Sequence, residues 1–156
     1  MNLKFVRVLL VASFLGMSCG GTSINSADEH ATKACNISKQ SDGSYSEPVI
    51  PPAEKTWNID DDLAVLEEAS DSWMERASEA SAASQDDAGY ATLSLLTSDI
   101  SAMRRDVVST RKNNMWAVTN DDIYGLRDWS YLYDNYNSQL AKYQSECQGL
   151  STRLND

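Results

Sequence analysis

Beyond residue 57, apolar residues recur at alternating steps of three and four residues in three long stretches of the chain. This spacing places them on one face of an α-helix, and a near-heptad repeat is typical of helices that pack side by side. No proline interrupts the stretches, since Pro52 is the last proline in the sequence. The pattern predicts three helices, at about residues 58–84, 86–116 and 120–154.

The predicted helices begin at residues suited to capping. Asn58 can cap the first helix, and the aspartates at 60–62 fall in its first turn, where carboxylates favour the positive end of the helix dipole. Ser84 precedes the second helix and residues 119–120 precede the third in the same way. Short turns between long helices imply antiparallel neighbours. The sequence therefore predicts an all-α fold, an antiparallel three-helix bundle over residues 57–156.

Charge favours the antiparallel arrangement of the first two helices. Residues 58–87 hold ten acidic residues and one basic residue, whereas residues 88–118 hold two acidic and four basic residues. Folding the two helices together at about residue 86 brings Arg111 level with the aspartates at 60–62. Each exposed ion pair contributes only about 0–1 kcal/mol. Together, such pairs favour one register of the hairpin.

Residues 19–56 are expected to be a flexible tether in front of the bundle. They are rich in Ser, Gly, Thr, Asn and Lys, with few aliphatic residues and with prolines at 48, 51 and 52. Such a segment buries too little apolar surface to offset the entropy lost on ordering. The tether would hold the bundle away from whatever anchors it.

The stretch Ala77–Ser84 consists almost wholly of Ala and Ser. Small side chains can leave a groove that takes a partner. They can also let two helices of the same protein approach closely near a turn. Both interpretations stand on sequence alone, and close approach is the simpler one.

The first residues of the chain are expected to form an export signal. Lys4 and Arg7 precede an uncharged apolar run over residues 8–15, and small residues follow. This order is typical of secretory signal peptides. The apolar run is much shorter than the roughly 20 residues of a membrane-spanning helix.

The end of this signal, Gly16-Met17-Ser18-Cys19, resembles the lipobox of bacterial lipoproteins. Ser18 supplies the small residue before the Cys, and Leu15 is aliphatic, while Gly16 stands where that family usually has an aliphatic residue. The resemblance implies cleavage of residues 1–18 and attachment of diacylglycerol to Cys19, which would then carry two or three acyl chains. The alternative is an ordinary secretory signal with an unmodified Cys.

A lipidated Cys19 would anchor the chain to a bacterial membrane on its non-cytoplasmic side. Gly20 and Gly21 follow, with no acidic residue beside the lipid, and in a cell with two membranes this implies delivery to the outer one. Loss of residues 1–18 removes Lys4 and Arg7 and changes the net charge from −10 to −12. So acidic a chain is unsuited to binding nucleic acid or anionic lipid headgroups.

Two cysteines remain after such cleavage, Cys35 and Cys147. An even pair in an exported protein predicts one disulfide. Two free thiols are the alternative. The predicted bond would tie the tether to the far part of the last helix.

The sequence offers no pattern that indicates catalysis, a metal or a cofactor. His30 is the one histidine and lies in the predicted tether, away from a rigid nucleophile. The aspartates at 60–62 are consecutive, so they lack the alternating ligand spacing of a calcium loop. No Gly-rich phosphate loop or zinc-ligand spacing occurs. No catalytic residue, metal site or cofactor is therefore expected.

Tyr124 and Tyr131 fall to one side of the apolar stripe of the last helix. Exposed aromatics are favoured anchors at protein interfaces, although they can also shield the flank of a core. We expect a non-enzymatic envelope lipoprotein that binds a protein partner or serves a structural role, with an inhibitor, immunity or exclusion protein as the narrower form. An envelope enzyme or small-ligand binder is the alternative, and self-association through the helical stripes stays open.

Overall fold

The structure is a computed structural model that describes residues 24–56, 58–120 and 125–156. The side chains at 59, 70–71, 113–120 and 125–128 are outside the description. The elements in chain order are helix α1 (Ser26–Ala34), strands β1 (Ser38–Lys39) and β2 (Tyr45–Ser46), helix α2 (Ile59–Asp86), a 3-10 helix (Ala88–Tyr90), and helices α3 (Ala91–Asn120) and α4 (Gly125–Asn155).

The described part of the chain is mostly helical, as the sequence predicts. Two elements depart from an all-α three-helix fold: α1 is a fourth helix, and β1 pairs with β2 in a small antiparallel sheet. The turn between the two strands contains Gly43, whose φ of 91° lies in the left-handed region that glycine adopts without a steric cost. Helix α2 packs against α3, α3 against α4, and α1 against α2.

The apolar stripes of the three long helices make up most of the core, to which α1 adds its buried alanines. Side chains that are at most 6% exposed come from α2, α3 and α4 in turn. Full burial of one such side chain stabilises the fold by about 1.5–3 kcal/mol. The principal members are Leu63, Leu66, Trp73, Leu93, Leu96, Ile100, Met103, Val107, Trp129, Leu132, Tyr133, Tyr136, Leu140 and Tyr143.

The register of α2 on α3 differs from the one that charge predicts. Arg111 pairs with Glu67, with 3.0 Å between Nη1 and Oε2, and not with the aspartates at 60–62. The cause lies in the turn, because α2 continues through Ser84 and the 3-10 helix follows it. The chain thus reverses about three residues later than residue 86.

The prediction of a flexible tether over residues 19–56 is wrong for residues 24–56, which include α1. The Asn25 side chain caps this helix by accepting from the Asp28 N–H at 2.8 Å. At the other end Asn36 adopts a φ of 52°, and the N–H groups of Asn36 and Ile37 donate to carbonyls of the last turn. These hydrogen bonds at the C-terminal end of α1 form a Schellman motif.

Helix α1 occupies the surface made by the small residues of α2. Its buried face consists of alanines at 27, 31 and 34. Ser26 donates to Asp86 at 2.8 Å, and His30 lies 2.7 Å from Glu79, so α1 runs antiparallel along the end of α2. Because both facing surfaces carry methyl groups, the helices approach closely, and the Ala77–Ser84 stretch is filled by the chain itself.

Residues 45–56, here called the strap, run as extended chain along α4. Asn155 accepts from the Tyr45 N–H at 2.7 Å and donates to the Tyr45 carbonyl at 2.9 Å. Asn137 makes the same two hydrogen bonds with Ala53, both at 2.9 Å. Each asparagine therefore pairs with the backbone as a neighbouring strand would.

The spacing of the two asparagines explains how a helix holds extended chain. Asn137 and Asn155 are 18 residues apart, which is five full turns, so they share one face about 27 Å apart along the axis. Tyr45 and Ala53 are eight residues apart, which spans about 25–27 Å of extended chain. The two lengths agree, so the strap lies straight along α4.

The strap ends at a buried carboxylate. Asp62 is fully buried and accepts from both the N–H and the hydroxyl of Thr56, at 2.8 and 2.7 Å. Asn58 takes the capping position of α2 but makes no side-chain cap hydrogen bond. The predicted role of Asp62, a dipole contact in the first turn, is thus only part of its role, because it also fixes the strap to α2.

Candidate interaction surface

Cys35 and Cys147 lie together at disulfide distance. Their sulfur atoms are 2.06 Å apart and their Cα atoms 5.5 Å apart, and each residue is about 1% exposed. Cys35 caps the C-terminal end of α1, while Cys147 lies on the inward face of α4. The pair therefore connects α1 to α4 across the protein interior.

Tyr143 strengthens the same junction. Its hydroxyl donates to the Ala34 carbonyl at 2.9 Å and accepts from Arg76, whose guanidinium lies 5.0 Å from the Trp73 ring. Trp73 packs edge-on against Tyr143, with ring centroids 4.5 Å apart. Burial raises the pKa of the Tyr143 hydroxyl above its usual value. One tyrosine thus joins α1, α2 and α4.

Tyr131, one of the two predicted partner contacts, is 74% exposed on the outer face of α4. Its neighbours Leu132 and Tyr133 point into the core. The interpretation that Tyr131 shields the flank of the core does not fit so large an exposure. The other predicted contact, Tyr124, and the predicted lipid attachment residue, Cys19, lie outside the described residues.

The end of the strap lies beside Tyr131. Lys55 donates to the Ser130 hydroxyl at 2.8 Å and pairs with Asp134 at 2.9 Å. Asp134 lies three residues after Tyr131 and neighbours it on the helix surface, while Ser130 and Asp134, four residues apart, share the adjoining face that Lys55 contacts. We call Tyr131, Lys55 and Asp134 the Tyr131 surface. It combines an exposed aromatic ring with a fixed ion pair.

A depression of about 420 Å³ lies between the C-terminal end of α1 and the middle of α2. Lys33, Arg76, Glu75 and Glu79 line it, so both signs of charge face the same space. Glu79 is already paired with His30. His30 was expected in a flexible segment, whereas it lies in α1 and contacts the Glu79 carboxylate.

A second depression, of about 290 Å³, lies between the α2–α3 turn and α4. In its wall Arg153 donates to the Tyr90 hydroxyl at 2.9 Å, and that hydroxyl donates to Asp28 of α1. Two effects raise the pKa of Tyr90 to about 12: burial, which is the larger, and the hydrogen bond to Asp28. The neutral phenol therefore links α1, the turn and α4.

The free energy of unfolding is expected to fall as pH rises through the range from about 10 to about 12. An unfolded tyrosine has a pKa of about 10, so the raised pKa of Tyr90 favours the folded state below pH 10, and that stabilisation is lost as the phenol ionises. Urea unfolding across this pH range measures how the free energy of unfolding depends on pH. Tyr90→Phe should unfold with a shallower alkaline slope, and an unchanged slope would contradict the link.

The sequence did not reveal the contacts that α1 and the strap make. Signals for α1 were present: a capping Asn25, the Glu29–Lys33 pair at helical spacing, and alanines at steps of four and three. The 18-residue spacing of Asn137 and Asn155 was a weaker signal, because it gains meaning only once a partner backbone is known.

Within the described residues, no group of three or more His, Cys, Asp or Glu side chains could hold a metal ion. None of the described helices is long and apolar enough to cross a membrane. Comparison of the chain with family models, with curated proteins and with solved structures found no match.

Proposed function

We propose that this protein is a lipoprotein, exported and held by acyl chains on Cys19 at the non-cytoplasmic face of a bacterial membrane. The sequence Gly16-Met17-Ser18-Cys19 after a basic and apolar start carries this proposal. The proximity of Cys35 and Cys147 supports it, because disulfides are typical of exported proteins. In a cell with two membranes, the residues after Cys19 favour the outer one.

Replacing Cys19 with Ser should release the protein from the membrane fraction. Each buried acyl CH₂ contributes about 0.8 kcal/mol to anchoring, and two or three chains hold a protein stably. Membrane fractionation with antibody detection measures the change. The matched control, Cys35→Ala with Cys147→Ala, keeps Cys19 and should stay with the membrane. Retention of the Cys19→Ser variant would exclude a lipid anchor.

The anchored domain acts by binding another envelope protein, through the Tyr131 surface. The exposed ring of Tyr131 supports this proposal, because tyrosines are enriched among the residues that dominate binding energy. An inhibitor, immunity or exclusion protein with one target is the narrower form of this function. If the protein has no specific target, the alternative is a structural role in the envelope.

Cross-linking in living cells, followed by purification of the tagged protein, should recover one dominant partner. Tyr131→Ala should weaken that interaction at least about tenfold, since a residue that dominates binding energy contributes about 2 kcal/mol or more. Met74→Ala is the matched control, because Met74 is a 59% exposed apolar residue on α2. Recovery of the protein alone or as its own oligomer would contradict specific binding and favour the structural role.

A further inference from the structure

The position of α1 limits how far the domain can stand from its anchor. The structure is described from Ile24 onward, five residues after Cys19, and α1 begins at Ser26. Five residues of polypeptide span at most about 18 Å. The Cα atom of Ile24 therefore lies within that distance of the Cα atom of Cys19, in contrast to the long spacer that a 38-residue tether would provide.

Contacts of α1 identify the end of the molecule that is held in this way. Ser26 donates to Asp86 at the end of α2, and Asp28 accepts from Tyr90 in the following 3-10 helix. Arg153, near the end of α4, donates to the same Tyr90 hydroxyl. The start of α1, the α2–α3 turn and the last turns of α4 thus form one end, which we call the anchored end.

The Tyr131 surface lies far from the anchored end. Tyr131 and Arg153 are 22 residues apart on the same helix, which corresponds to about 33 Å along its axis. Lys55 and Asp134 are at the same level as Tyr131, because they contact one another and the neighbouring turn. The long helices therefore separate the membrane attachment from the proposed binding surface.

We infer that the anchored end faces the lipid surface and that the Tyr131 surface is held about 30 Å farther out, toward a partner that is not embedded in the same leaflet. This inference rests on the proposed anchor at Cys19. Exposed carboxylates along α2, at residues 60, 61, 68 and 75, oppose a position in which that side lies flat on anionic lipid. The short link to α1 then leaves the anchored end as the part nearest the bilayer.

A competing orientation places the basic side of α3 on the membrane. Arg104, Arg105 and Lys112 are exposed there, and such residues attract anionic headgroups. That orientation would bring both ends of the bundle equally close to the lipid. The two orientations therefore predict different distances for labels at the two ends.

Fluorescence energy transfer to lipid acceptors distinguishes these orientations. The full-length lipoprotein, purified from membranes, is reconstituted in vesicles of phosphatidylethanolamine and phosphatidylglycerol and labelled through a single unnatural amino acid at Asp87 or at Tyr131. The label at 131 should lie about 30 Å farther from the lipid than the label at 87. Equal distances, or a nearer label at 131, would overturn the inference.

A longer link provides the second test. Insertion of about 20 Gly and Ser residues between Gly21 and Thr22 adds a root-mean-square span of about 25 Å, and the label at 87 should move away from the lipid by a comparable distance. An unchanged position would mean that another surface holds the domain. Failure of the protein to float with vesicles would overturn the lipid anchor itself, and flotation separates that result from a wrong orientation.

Discussion

Replacement of Cys35 and Cys147 by alanine is expected to lower the free energy of unfolding by about 4 kcal/mol. The two residues are 112 positions apart and connect α1 to α4, so a bond between them restricts a long loop in the unfolded chain. Urea denaturation followed by circular dichroism measures the difference. Reduced wild-type protein should match the double variant, because both lack the same link.

Peptide mapping by mass spectrometry without reduction checks the bond directly. A linked peptide pair containing Cys35 and Cys147 is the expected result. Two thiols that react with an alkylating reagent in the native protein would exclude the bond. Hydrogen exchange should show which part of the protein opens when the bond is lost. Helix α1 buries only alanines besides its terminal cysteine, so we expect it to open before the long helices do.

Replacement of Tyr143 by alanine is expected to destabilise the protein by about 3–5 kcal/mol, the range for deletion of a buried aromatic side chain. Tyr143 is 2% exposed and packs against Trp73. Its loss also leaves the Ala34 carbonyl without its tyrosine donor and removes an acceptor for Arg76. Chemical denaturation measures the effect.

Tyr143→Phe separates packing from hydrogen bonding at this site. The ring stays in place while the hydroxyl is removed, so the expected cost falls to about 1–3 kcal/mol, the penalty for a buried polar group that has lost its partner. A Phe variant as unstable as the Ala variant would show that the hydroxyl contacts, and not the ring, dominate. A Phe variant as stable as wild type would show that water replaces them.

Strong periodicity explains why the long helices could be predicted from sequence. In α2, α3 and α4, aliphatic and aromatic residues repeat over many turns, so the helical period is visible without any tertiary information. The pairing of Cys35 with Cys147 followed from their number and from the predicted export signal. The outward position of Tyr131 followed from its place off the apolar stripe.

Helix α1 was missed because alanine carries a weak apolar signal. Its buried residues at 27, 31 and 34 have methyl side chains only, and a composition rich in Ser, Thr, Asn and Lys resembles that of disordered chain. What orders the segment is a surface provided by α2, whose contacting residues lie 49 to 60 positions away in sequence. Tertiary packing of this kind leaves little trace in the local pattern.

The strap could not be predicted for a different reason. Much of its order comes from side chains of α4 that bind its backbone. The apolar residues that the strap packs against the core, Tyr45, Ile50 and Ala53, are few and follow no helical or strand period. The register of α2 on α3 differs from the one predicted from charge because a 3-10 helix adds residues to the turn. The helix propensities of these residues did not distinguish a turn that contains a 3-10 helix from a shorter turn between the two helices.

Backbone recognition has a consequence for how this protein can diverge among relatives. The asparagines at 137 and 155, together with Gln144 and Ser151, bind main-chain groups of the strap, and every residue type offers a carbonyl. Natural selection should therefore hold those four α4 positions nearly fixed, while the strap is constrained only where its own side chains pack against the core or fix its end. Its outward residues, such as the 86% exposed Val49, are free to change between lineages without loss of the fold.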